Sequence, residues 1–368
     1  MGRYVEDDSM IPEFNNKEIA SRIIQKIHEI SGNKRIKIMH VCGTHEQTIT
    51  KNGLRPMLPK NIEVVPGPGC PVCITPQVEI DRAIELSRRG VIITTYGDML
   101  RVPGSVSSLS KEKATGADVR IVYSPFEAVE IARKNTGKNI VFLGIGFETT
   151  APMTAQVISK NPPDNFSVLC SHRVVPPAMD FLLKGGYNID GFIDPGHVSA
   201  IIGTEPYHEI TKKYNVPQVI TGFEPLDVLM SILMILKQIK DNTAKVENEY
   251  WRIVKPEGNK VALELMNEVF ETFSKEWRGL PVIPDASLKI RSGYSEYDAQ
   301  IKHKVEMPEG EGCGIECPLC GNILKGLSDP VDCEIFGKLC TPENPVGACM
   351  VSSEGTCNIA YRYGNLVI

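Results

Sequence analysis

Two hydrophobic patterns alternate along the chain. Short apolar runs rich in β-branched residues occur at Ile36–Val41, Ile62–Val65, Gly90–Thr95, Val119–Tyr123, Asn139–Leu143, Phe166–Ser171, Ile189–Ile193 and Gln218–Thr221. Each ends in or near a Gly/Pro-containing turn, and apolar residues at helical spacing often follow. Strands buried on both faces read as such continuous runs, and their alternation with helices predicts parallel sheets. Helices are predicted at Asn16–Ser31, Pro76–Arg89, Pro125–Asn135, Thr149–Lys160, Pro176–Lys184 and Pro225–Lys240. The expected fold class is α/β, with two lobes that each hold a mostly parallel sheet flanked by helices. A seam at Gly137–Lys138 places the first lobe at 1–137 and the second at 138–240. Residues 241–368 form a helical connector and a small Cys-rich C-terminal domain. In that connector a helix is expected over Val261–Trp277 and an extended link over LPVIPDASLKI (280–290).

Composition narrows the function classes. The 368 residues carry a net charge of −5, with 42% hydrophobic and 23% charged positions. These are globular values that argue against disorder. No long Lys/Arg block appears, so a nucleic-acid partner is not expected. The most apolar stretch, Leu226–Leu236, is about half the length a bilayer span needs and reads as a buried core helix, so no membrane is expected either. The start, MGRYVEDDSMIPEF, is acidic and lacks the apolar core of a secretory signal. A cytoplasmic location follows as the expectation. Cysteine usage then changes the picture: seven of 11 lie between Cys313 and Cys357, and the others are Cys42, Cys70, Cys73 and Cys170. In a reducing compartment, clustered cysteines are metal ligands or redox thiols more often than structural disulfides.

In open α/β sheets, ligands collect at the carboxyl ends of strands. Five such ends deliver reactive or metal-capable residues: Cys42-Gly43-Thr44-His45-Glu46, Gly67-Pro68-Gly69-Cys70-Pro71-Val72-Cys73, Gly144 to Thr150 with Glu148, His172-Arg173, and Asp194-Pro195-Gly196-His197. The five loops are expected to converge on one cleft. Cys70 and Cys73 form a CxxC on a Gly/Pro-rich turn, a spacing that lets two thiols share a metal or close a disulfide. Beside His45 and Glu46, Cys42 is a candidate third ligand or nucleophile. For His45, His172 and His197 a hydrogen-bonded structural role stands beside a ligand role. Cys170 reads as core and His28 as surface. Gly144-x-Gly146 lacks the third glycine of a dinucleotide fingerprint and reads as a tight turn beside Glu148.

The tail runs Cys313-x3-Cys317-x2-Cys320-x12-Cys333-x6-Cys340-x8-Cys349-x7-Cys357. Zinc ribbons show two CxxC knuckles where this tail has one. Cys333, Cys340, Cys349 and Cys357, spaced widely, suit an iron–sulfur cluster held by separate loops, with zinc and disulfides as alternatives. Cys317 and Cys320 are then available as a redox pair or as substitute ligands.

These segments resemble the HypD family of hydrogenase maturation factors. The matching stretches are CGTHE (42–46), PGPGCPVC (66–73), GFETTAP (146–152), HRVVPPAM (172–179), DPGHVSAIIG (194–203), CGNILKG (320–326) and the Cys333–Cys357 tail. The resemblance implies a scaffold, rather than a metabolic enzyme, for building the iron with two cyanides and one carbon monoxide of [NiFe]-hydrogenase. It implies a [4Fe-4S] cluster in the tail, the small chaperone HypC as partner, and HypE with HypF as the cyanide supply. By the same carry-over Cys42 is the iron-holding thiol shared with HypC. Cys70 and Cys73 are the central redox-active or ligating pair, supported by His45 and Glu46, and Glu354 lies near the cluster. An independent iron–sulfur thiol–disulfide oxidoreductase acting on a protein substrate is the alternative.

Overall fold

The computed structural model describes residues 16–305 and 317–364. All eight apolar runs are strands: β1 (Ile36–His40), β2 (Ile62–Pro66), β3 (Ile92–Thr95), β4 (Val119–Ile121), β5 (Ile140–Gly146), β6 (Phe166–His172), β7 (Gly191–Pro195) and β8 (Gln218–Thr221). Three more follow: β9 (Val246–Asn248), β10 (Phe270–Trp277) and β11 (Leu280–Ile290). The first nine form two parallel sheets, one of order β2-β1-β7-β8-β9 and one of order β4-β3-β5-β6. Every residue of β5 and β6 is buried, which is why these two read as unbroken apolar runs.

The sheets do not divide at Gly137–Lys138. Strands β3 to β6 are contiguous in sequence and build the four-stranded sheet, inserted between β2 and β7 of the five-stranded one. The five-stranded sheet is therefore assembled from both sides of the insertion. A boundary at 137 would separate β3 from β5, along which it pairs from Ile92↔Ile140 to Thr94↔Phe142. One core joins the two sheets, taking Met39, Val41, Val65, Phe192 and Ile220 from the first and Ile93, Val141, Leu143, Ile145 and Leu169 from the second. The outer face of the five-stranded sheet (Ile36, Ile38, Val64, Ile193, Val219) is covered by the helices Lys17–Ile30 and Pro225–Lys240. Asn16 caps the first of these through Glu18 N–H at 3.0 Å. Among the described residues no helix is long and apolar enough to cross a membrane.

The connector differs from its expected form. Helix occupies only Lys260–Val269, and Phe270–Trp277 is a strand paired antiparallel to Leu280–Ile290. The apolar period of the helix runs on into FETF, and this hides the two-residue alternation of the strand. In the second arm, Pro281 and Pro284 break the donor pattern without preventing pairing, because prolines are tolerated at an edge strand and at bulges. The hairpin lies along β6, where Val174 N–H donates to Ala286 O at 3.1 Å and Cys170 Sγ meets Leu288 O at 3.3 Å. Cys170 is thus a buried core thiol as expected. The hairpin turn also reaches the CxxC segment, since Arg278 N–H donates to Ile74 O and its Nε to Thr75 O.

Candidate functional site

Three strand ends of the five-stranded sheet meet. After β1 the backbone enters the helix Gly43–Lys51 with Cys42 as its first flanking residue. After β2 the loop 67–70 crosses directly over that point. A Cβ on Gly69 would lie 2.1 Å from the Cys42 nitrogen, so only glycine allows the two backbones to touch. This brings the short helix Pro71–Ile74 alongside, and Cys70 and Cys73 are joined as a disulfide. After β7, His197 opens the helix Gly196–Ile202, with Nδ1 3.9 Å from Cys42 Sγ. Cys42, Cys70 and Cys73 are all buried, and burial pushes the Cys42 thiol up to about 12. Burial likewise lowers His197 to about 4, so at neutral pH a neutral imidazole faces a neutral thiol.

The tail closes this site from above. A Cβ on Gly43 would lie 2.5 Å from the Glu354 backbone oxygen, so the segment around Glu354 rests on the start of the Cys42 helix. Burial raises the Glu354 carboxyl, and its charge adds to the rise of the Cys42 thiol. The helix Thr356–Tyr363 packs on Gly43–Lys51, and the helix Ala348–Val351 packs on Pro71–Ile74. Cys349 is therefore carried to the helix that holds the disulfide.

The tail thiols fall into two hydrogen-bonded pairs and two single residues. Cys320 shares a hydrogen bond with Cys317, which lowers Cys317 to about 6 and raises Cys320 well above the ordinary thiol range. Cys357 shares one with Cys349 and is raised in the same way. Cys333 and Cys340 stand singly; burial raises Cys340, and the Cys317 and Cys333 charges add to that rise. Cys317 is central, lying within electrostatic reach of Cys320, Cys340 and Cys357. The donor set is soft throughout and suits iron–sulfur or zinc better than a hard cation. Among the described residues no three His, Cys, Asp or Glu side chains are gathered tightly enough to hold one ion.

A family profile for HypD, described as the hydrogenase formation hypA family, matches residues 18–364. The chain belongs to the HypD family. It is 51% identical over 360 residues to a hydrogenase expression/formation protein of Methanocaldococcus jannaschii, covering 95% of this chain and 98% of that one. It is also 45% identical to hydrogenase maturation factor HypD2 of Bradyrhizobium diazoefficiens, over 96% of each chain. Hydrogenase maturation factor HypD of Cupriavidus necator is 44% identical, over 96% of this chain and 97% of its own. A role in hydrogenase maturation is what this membership supports.

In this HypD-family chain, three of the five expected strand ends meet at Cys42, while Glu148 and His172 make their hydrogen bonds elsewhere. Glu148 and His172 follow strands of the other sheet and are engaged there. Glu148 Oε1 accepts the Val175 N–H at 3.0 Å, and His172 Nε2 lies 3.0 Å from Thr154 Oγ1. His45 and Glu46 do not face Cys42 as reactive groups. His45 Nε2 lies 2.9 Å from Gly222 O and its ring stacks on Phe223, which also sits against His197. Burial disfavours a charged Glu46, but Arg55 and His40 hold its carboxyl well below the ordinary range. Both residues thus brace the helix and loops beneath the thiol. Glu354, expected near a cluster, lies on the start of the Cys42 helix, and the next residue, Gly355, packs on Cys349. Cys313 lies outside the described residues. Sequence reasoning missed Tyr207, whose hydroxyl is 3.0 Å from Ser199 Oγ and whose ionisation is opposed by burial, Asp194, Glu148 and Cys42. It also missed the buried cluster of Glu79, Arg173 and Lys275, in which Arg173 Nη2 lies 3.1 Å from Glu79 Oε1. The Arg in HRVVPP was the one available signal for that cluster.

Proposed function

We propose that this protein is a redox-active scaffold of [NiFe]-hydrogenase maturation, on which an iron bearing two cyanides and one carbon monoxide is assembled. The observation that carries this reading is a free Cys42 thiol 3.9 Å from His197, with the loop leading into the Cys70–Cys73 disulfide laid against the Cys42 backbone and the thiol-rich tail packed over both. Iron is cargo here. Cys42 holds it together with the small chaperone HypC, and HypE with HypF supplies the cyanide. A thiol held protonated by burial releases its proton when a soft metal binds, so loading expels one proton per Cys42–iron bond. Soft thiolates suit low-spin iron with strong-field ligands, and the burial of Cys42 shields an iron held there from solvent. Opening Cys70–Cys73 takes two electrons and two protons and yields two further soft donors beside Cys42.

The soft thiols of the tail would suit a [4Fe-4S] cluster, which would supply single electrons when bound. Cys333, Cys340, Cys349 and Cys357 would hold such a cluster, with Cys317 and Cys320 as a neighbouring thiol pair or substitute ligands. Cys349 leads toward the disulfide through the packing of its helix on Pro71–Ile74. The protein works in the cytoplasm in this reading.

The test is infrared spectroscopy on protein co-purified anaerobically with its small partner. Cyanide and carbonyl stretches are expected, and they vanish in Cys42→Ala while tail iron and sulfide stay stoichiometric. Absence of those bands in loaded wild-type protein overturns the scaffold reading. The disulfide itself favours a second reading, an iron–sulfur thiol–disulfide oxidoreductase acting on a protein. Turnover of a protein disulfide in the absence of those infrared bands would select it.

A further inference from the structure

Arg278, at the turn of the β10–β11 hairpin, is a cation with little to balance it. Its Nε donates to Thr75 O at 2.8 Å and its Nη2 to Pro103 O at 3.3 Å. Among the described residues it forms no ion pair, and its Nη1 has no partner yet is not sealed from solvent. Burial lowers its pKa, and the attraction of Cys320, Asp81, Cys317 and Glu79 does not make up for that loss. Arg278 lines a cavity of about 700 Å³ between the hairpin turn, the loop 103–107 and the tail near Cys317. That loop is pinned, since Asp81 accepts the Ser105 N–H at 2.7 Å and the Ser105 hydroxyl at 2.6 Å. The Gln77 amide and the exposed Lys111 ammonium also line the cavity, and neither has a partner among the described residues. Glu276 is the one carboxylate of the lining, and it is exposed.

We propose that this cavity binds a small organic dicarboxylate, with one carboxylate against Nη1 of Arg278 and the other toward Lys111. A cation held out of water is costly until it is paired, and a carboxylate matches a guanidinium in both charge and planar geometry. Cys317, the anionic group of the wall, is hydrogen-bonded to Cys320 and leaves Nη1 free. The second positive charge, at Lys111, favours a doubly charged ligand over a singly charged one. Gln77 offers a further N–H donor. The volume lies within the range of small-molecule sites, roughly 300–1,000 Å³, so the ligand is an organic acid rather than a bare inorganic ion. Nothing in this inference depends on the role in hydrogenase maturation.

Calorimetric titration of the full chain, as purified anaerobically, with glutarate at pH 7 and low salt tests it. One saturable site is expected, and added salt weakens it. Monomethyl glutarate and inorganic phosphate each bind about tenfold more weakly. In Arg278→Lys the charge stays but the planar fork is lost, and glutarate affinity falls about tenfold or more. Lys111 is exposed, so Lys111→Glu keeps the fold while reversing the charge at the rim, and affinity again falls about tenfold. No saturation at millimolar glutarate overturns the proposal. So does equal affinity for the monoester or for phosphate, or unchanged affinity in either variant.

Discussion

The strand-end site and the tail use the same side chain in opposite ways. Cys42 and the Cys70–Cys73 disulfide are fixed by β1 and β2 and by backbones in direct contact. There, burial dominates and the free thiol keeps its proton. The tail thiols ride on short helices and turns; burial raises Cys340, whereas the neighbouring Cys320 thiol lowers Cys317 to about 6, so Cys317 ionises near neutrality. A thiol's chemistry follows from what surrounds it, and two arrangements in one chain give one thiol that waits for a metal and another that is ionised beforehand.

The sharpest way to break this comparison is Cys42→Ala. Hydrogenase maturation by that variant is expected to be lost completely, while the iron and sulfide of the tail are unchanged. Full maturation would remove Cys42 from its role. Alkylation separates the two thiols next. In reduced, metal-free protein at pH 7, Cys317 is expected to react with iodoacetamide more than about a thousandfold faster than Cys42, following the thiolate fractions set by about 6 and about 12. Peptide mapping by mass spectrometry reads this, and comparable rates would sink the contrast.

A smaller effect tests the rigidity of the strand-end region. Burial disfavours a charged Glu79, but Arg173 and Lys275 hold its carboxyl below the ordinary range. Glu79 follows the CxxC helix, Arg173 follows β6 and Lys275 lies on the hairpin, so this cluster ties three elements together. Removing one partner of a buried pair strands the other, and Glu79→Gln should cost about 3 kcal/mol in denaturant unfolding. A loss within measurement error would show that the hairpin is held without it. The smallest expected effect is at Asp194. Its two carboxyl oxygens are buried without partners, and burial raises its pKa well above the ordinary range. Folding therefore takes up a proton that the unfolded chain lacks above about pH 4, and this weakens the native state as pH rises. Asp194→Asn removes that penalty, so its stability relative to wild type should grow as pH rises above about 4. A flat difference would mean that the carboxyl is ionised in the folded protein.

The positions of the first eight strands were legible because buried parallel strands must be continuously apolar, and Gln218–Thr221 and Pro225–Lys240 match to the residue. The connector was misread where a helical period runs into a strand at Phe270. Pairing across the hairpin outweighed local pattern there. Within the site, Cys42, Cys70 and Cys73 were legible as motifs on strand ends. The bracing duties of His45 and Glu46 were not, because Gly222, Phe223 and Arg55 are brought to them by other elements.

By itself the sequence determined the α/β class, the strand ends that carry chemistry, the division of cysteines into two populations and, through its motifs, the family. Only the tertiary structure decided that β3 to β6 are an insertion within one larger sheet. It alone decided that Glu354 rests on the start of the Cys42 helix while its neighbour Gly355 packs on Cys349, and that Glu148 ends buried with one oxygen unpartnered. The physical reason is one of range. Periodicity and turn chemistry act over a few residues and are written locally, whereas strand order, burial and the thiol pKa values they impose depend on segments far apart in the chain.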